Sequence, residues 1–201
     1  SQTMTRRIVY GIALWATVAV TAMTIASIVR PNWLAYEVEG HGKHAKPVKI
    51  SYGLHQRCDS VSGTCNDFPE HEDCHGDNWS FCSRWRSVGF LMSFAVIIEL
   101  AALIGYGVVI VGGKQKRDKG WKMVSGLMIV AGVVQCAAMS IVAFLYDNDE
   151  RFFPPGWRLD SSWILCTVSW AFSFMIATGL IAAAIVLPEE GNYELIPEGR
   201  M

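Results

Sequence analysis

Four apolar blocks, Ile8–Val29, Ser87–Val111, Trp121–Tyr146 and Ser162–Leu187, constrain this chain more than any other feature. Each exceeds the roughly 18 residues at which an apolar run reads as a bilayer-spanning helix. The apolar residues are bunched and do not recur at helical or strand period, which argues against a soluble fold with one buried face. The expected fold is an all-α membrane protein, a four-helix transmembrane bundle running up-down-up-down. The 201 residues form one domain, with loops 30–86 and 147–161 on one side, loop 112–120 on the other, and a tail 188–201. Basic and acidic residues balance at 17 and 18, so the basic stripe that a nucleic-acid partner needs is missing.

Charge sets the orientation. Arg6 and Arg7 precede the first block, and loop 112–120 carries Lys114, Lys116, Arg117 and Lys119 against Asp118 alone. By the positive-inside rule this loop and both termini are cytosolic. A signal peptide shares the basic start, with Ala26–Ser27 as its small-residue site, but an apolar run from Ile8 to Val29 is long for a signal core, so a retained helix is expected.

Loop 30–86 holds all five histidines and four of the six cysteines, Cys58, Cys65, Cys74 and Cys82. An even set of cysteines in one polar loop points to an oxidising compartment and two disulfides. Three pairings are open; the short closures Cys58–Cys65 and Cys74–Cys82 are favoured, though spacing alone does not decide. Val48, Ile50, Tyr52 and Leu54 alternate with Lys49, Ser51 and Gly53, the period of a half-buried strand. Ser60–Gly63 reads as a hairpin turn between two cysteines. A small disulfide-bonded antiparallel sheet built by this first extracellular loop follows. Asn78-Trp79-Ser80 is a glycosylation sequon on the same side. Cys136 and Cys166 lie inside apolar blocks and read as small buried hydrophobes.

The order of features resembles the claudin superfamily, which includes peripheral myelin proteins and calcium-channel gamma subunits. The resemblance rests on four spans, a long first outer loop, and Trp33 in PNW, Gly53-Leu54 in GLH, then Cys58 and Cys65. Arg84 or Arg86 stands where that family has an arginine at the start of the second span. The topology match covers nearly the whole chain, the motif only these positions. His55 replaces the tryptophan of the family's GLW, the two motif cysteines are closely spaced, and Cys74 and Cys82 are additional. These departures suit a divergent branch, such as the claudin-like membrane proteins of fungi. The resemblance implies structural roles for the motif: a tryptophan wedged between helix tops and sheet, its indole N–H on a carbonyl, and a glycine allowing close backbone approach.

Other residues are candidates on their own chemistry. Glu99 lies near the middle of the second block, where a carboxylate costs about 2.5–3.5 kcal/mol on insertion scales, so it is expected to face the bundle and pair. Gln135, or a hydroxyl of Thr17 or Ser140, is the expected partner, and an interhelical lock is favoured over an ion or proton relay. Ala101 with Gly105, and Gly179 with Ala183, are expected to let helices pack closely. His71, Cys74 and His75 could hold zinc only with Cys74 reduced, so a solvated loop is favoured. Phe152, Phe153 and Trp157 in loop 147–161 are candidate partner contacts, with headgroup anchoring as the alternative. Tyr193 and Ile196 in the tail fit a tyrosine-type sorting signal. The chain has no C-x-x-C, nucleophile elbow or phosphate-binding glycine loop, and its histidines lie outside the blocks, so neither an enzyme nor a cofactor is expected.

The expected function is therefore non-enzymatic: membrane organisation or adhesion at a cell junction, or service as an auxiliary subunit of a channel, transporter or synthase. The alternative is a small transporter or ion pathway centred on Glu99. Partners are the lipid bilayer and, through the extracellular loops and the helices, another membrane protein or a second copy. The plasma membrane is the expected location, with an earlier secretory compartment as the alternative.

Overall fold

A computed structural model describes residues 2–40 and 46–187. Four long helices dominate: α1 (Gln2–Val29), α2 (Trp79–Val111), α4 (Trp121–Asn148) and α5 (Ser161–Val186), with a short α3 (Lys114–Lys119) linking α2 to α4. All four are long and apolar enough to cross a membrane, and the chain is a multi-pass membrane protein. They close into a ring in which α1 packs on α2, α2 on α4, α4 on α5 and α5 on α1.

α2 starts at Trp79, two turns before the expected Ser87. Its 33 residues span about 50 Å at 1.5 Å per residue, well beyond the ~30 Å hydrocarbon layer. The extra turns are amphipathic. Phe81, Cys82 and Trp85 turn inward in line with Val88 and Met92, while Ser83, Arg84 and Arg86 face out. The outward polar positions interrupt the apolar run, so these turns carry no spanning signal in the sequence.

The loops build a five-stranded antiparallel sheet, β4-β3-β2-β1-β5, from β1 (Leu34–Val38), β2 (Val48–Tyr52), β3 (Gln56–Asp59), β4 (Thr64–Asp67) and β5 (Trp157–Leu159). The expected strand from Val48 and the hairpin at Ser60–Gly63 are both present, with Cys58 directly opposite Cys65. The expectation of a sheet made by the first loop alone is corrected: β5 comes from loop 147–161. It pairs Leu159 with Leu34 and Trp157 with Tyr36, covering an edge of β1 that would otherwise present bare N–H and C=O groups. Tyr146 Oη donates to the Trp157 carbonyl at 2.9 Å, and Trp157 stacks on Tyr52 at 5.2 Å between ring centroids.

The core has two apolar clusters. One, under the sheet, includes Trp33, Leu54, Phe68, Trp85, Met92 and Leu145. The other, toward the basic end, includes Tyr10, Val20, Ala102, Val124, Met128 and Leu180. The bundle's outer surface carries large apolar side chains instead of polar ones, among them Trp15, Phe90, Ile97 and Ile104. Gly105 is buried, and an added Cβ would lie 3.0 Å from Met123 Cε, so it does bring α2 close to α4. Ala101 is exposed, and an added Cβ at Gly179 would meet nothing within 4 Å, so these two do not pack helices within the chain.

Candidate functional site: a braced sheet above a buried polar layer

Where α1 ends at Val29, the chain turns through Pro31 and enters Trp33, which is fully buried. Its indole Nε1 donates to the Ser27 carbonyl at 2.8 Å, its backbone N–H to the Tyr52 carbonyl at 2.9 Å, and its own carbonyl accepts from Asp160 N at 3.0 Å. One residue thus ties the top of α1 to β2 and to the start of α5. Gly53 lies just past β2, in the turn to β3. A Cβ there would stand 2.5 Å from Pro31 Cα, so close approach requires glycine. Gly53 N–H donates to the Gln56 carbonyl at 2.7 Å, and its carbonyl accepts from Trp85 Nε1 at 3.2 Å. Leu54 is buried beside it, while His55 is exposed, its Cε1 3.4 Å from where a Cβ on Gly89 would stand.

Two disulfides brace this end: Cys58–Cys65 across β3 and β4, and Cys74–Cys82 from the preceding turn to the first turn of α2. Cys74 is therefore oxidised and not a zinc ligand. His71 and His75 lie 4.1 Å apart between ring centroids, with His75 Nδ1 on the His71 carbonyl at 2.7 Å. Among the described residues no three His, Cys, Asp or Glu cluster as a metal site would need. Asn78 is exposed immediately before α2. Arg84 lies over the Phe144 ring at 5.2 Å, and Arg86 is exposed beside Trp79, Ser83 and Phe90.

The aromatic tip divides. Phe152 is buried, packed on Tyr52, Phe81 and Trp157, with the Arg151 guanidinium 4.2 Å from the Phe81 ring centre. Trp157 is half-buried in β5. Of the three aromatic contact candidates, these two are turned wholly or partly into the core under the sheet. Phe153 remains, 62 % exposed beside Pro154 and Pro155. Burial also pushes the Tyr52 hydroxyl above its ordinary value of 10.0; the nearby Arg57 opposes this shift. At the far sheet edge all of β4 is exposed, as is Val61 in the hairpin turn. Tyr193 and Ile196, and also His41 and His44, lie outside the described residues.

Between the two apolar clusters lies a polar layer with one side chain from each long helix: Thr24, Glu99, Gln135 and Ser169, all fully buried. Gln135 Nε2 donates to Glu99 Oε1, and to Thr24 Oγ1 at 3.0 Å. Thr24 Oγ1 lies 3.0 Å from Glu99 Oε1 and 2.7 Å from Ser169 Oγ. Gln135 was the expected partner; Thr17 and Ser140 were not the right hydroxyls. Both spend their O–H on carbonyls of their own helices, at Ala13 and Cys136. Thr24 and Ser169 were missed because a lone Thr or Ser in an apolar run gives no signal until helix phase relative to Glu99 is known.

The basic end has its own ties. Arg6 pairs with Asp118 at 2.8 Å and donates to the Leu187 carbonyl at 3.0 Å, and Tyr10 Oη donates to the Arg117 carbonyl at 2.7 Å. Loop 112–120 is thus a short helix held against α1, with its other lysines, Lys114, Lys116 and Lys119, exposed. No protein-family model and no curated protein matches this chain.

Proposed function

We propose that this chain is a non-enzymatic, claudin-like protein of the plasma membrane, with both termini cytosolic. Its disulfide-braced sheet lies outside and engages a neighbouring membrane protein or a second copy. The observation that carries this reading is the convergence of both loops on a single sheet, fixed to the helix tops through Trp33 and Gly53. A surface held that rigidly is suited to being recognised, and its exposed parts, Phe153, Val61 and β4, are not needed to cover the core. The orientation is supported by the charges, since Arg6, Arg7 and the lysines of α3 lie at the end opposite the disulfides. The resemblance in Trp33, Gly53, Leu54, Cys58 and Cys65 supports the class. The role we favour is auxiliary subunit of a larger membrane complex.

Cross-linking followed by purification in mild detergent tests this role. A single large membrane protein recovered in fixed ratio is the expected result. Recovery of homo-oligomers alone would move the assignment to self-association, and a monomer free of partners would end both.

A further inference from the structure

The polar layer leaves two acceptors over. Glu99 Oε2 and Gln135 Oε1 are buried and have no hydrogen-bond partner. They belong to side chains already joined by the other half of each group, Gln135 Nε2 donating to Glu99 Oε1. The donors of the layer are spent. The two Gln135 N–H groups go to Glu99 and Thr24, and the Thr24 and Ser169 hydroxyls have each other, Glu99 Oε1 and the Val20 carbonyl as acceptors. A proton on Glu99 Oε2 would turn one orphan into a donor, and the other orphan, Gln135 Oε1, is an unfilled acceptor on the side chain that Glu99 already bonds.

A carboxylic acid supplies that donor. Acid and amide side chains pair through two parallel bonds, amide N–H to acid carbonyl and acid O–H to amide carbonyl, and the layer already displays the first of them. We propose that Glu99 is a proton-binding site, holding one proton on Oε2 that is donated to Gln135 Oε1 and closes this two-bond pair at the crossing of four helices. The groups facing Glu99 carry no opposing charge. Thr24 from α1 and Gln135 from α4 are bonded to it, and α5 adds Ser169, bonded to Thr24, and Cys166, whose Sγ lies 3.7 Å from the Gln135 carbonyl. Glu99 is also the sole charged residue in segments 8–29, 87–111, 123–146 and 162–187. A bare carboxylate would therefore sit at bilayer depth without a cation, the costly arrangement. The proton is a bound ligand of the bundle. It locks α2 to α4 and holds Gln135 in the orientation that also engages α1.

Infrared spectra of the full chain in lipid nanodiscs at neutral pH, wild type against Glu99→Gln, test this directly. The expected difference is a carbonyl stretch of a protonated carboxylic acid that the substitution removes. Glu99→Gln restores a donor at the same place, so its unfolding midpoint should stay within about 2 °C of wild type. Glu99→Ala, which deletes the pair, should melt clearly lower. A difference spectrum showing only carboxylate bands, or a Glu99→Gln protein that melts as low as Glu99→Ala, would overturn the proposal.

Discussion

At Gly53 a methyl group would be flanked by the Pro31 Cα at 2.5 Å and the Gln56 carbonyl oxygen at 3.1 Å, both backbone atoms. Neither yields as a side chain would. Gly53→Ala should therefore cost about 1–3 kcal/mol through overpacking, lowering the thermal midpoint in detergent and reducing delivery to the cell surface. Gly179→Ala is its control, since that position opens onto empty space; its midpoint should be no lower than wild type. Tyr52 carries a pH dependence of definite sign. Burial raises its folded value above 10.0, so its contribution is complete below the unfolded value and is lost as pH rises through the folded one. Melting curves above pH 10 should fall in wild type, and Tyr52→Phe should remove that part of the fall. An unchanged alkaline slope in the variant would show that Tyr52 is not the group responsible.

Among the elements, the β3–β4 hairpin is the least supported by packing. β4 is exposed along its whole length and, among the described residues, pairs only with β3. Its disulfide closes a loop of separation 7, a size for which the chain-entropy model gives about 2–3 kcal/mol. Replacing Cys58 and Cys65 by serine should strip hydrogen-exchange protection from β3 and β4 while the long helices keep theirs; full protection throughout would contradict this. The same elements show what could be read in advance. The spans, the Val48–Tyr52 strand and the hairpin announce themselves through local pattern, apolar run length or alternation. β5 does not, because a three-residue strand acquires its partner from Leu34–Tyr36, more than a hundred residues earlier, and Trp157 looks the same in sequence whether it anchors a helix or fills a core. The burial of Phe152 is hidden for the same reason: it is decided by Tyr52 and Phe81, both in distant segments. The polar layer was half legible, as Glu99 and Gln135 are conspicuous in apolar runs and the hydroxyls that complete it are not.

The molecule as a whole is a bundle with an apolar exterior, a polar layer inside, ionic ties at the basic end and a braced sheet at the other. The contact surface proposed for the sheet end has its most exposed apolar side chains at Phe153, in the loop before β5, and Val61, in the β3–β4 turn, 62 % and 71 % exposed. Photo-activatable side chains introduced at these two positions, with Ile104 on the lipid-facing side of α2 as control, report contacts in native membranes. Discrete protein adducts from Phe153 or Val61, missing from the Ile104 control, are the expected result. Adducts from neither Phe153 nor Val61, or the same pattern from all three positions, would show that the sheet end is not the contact surface.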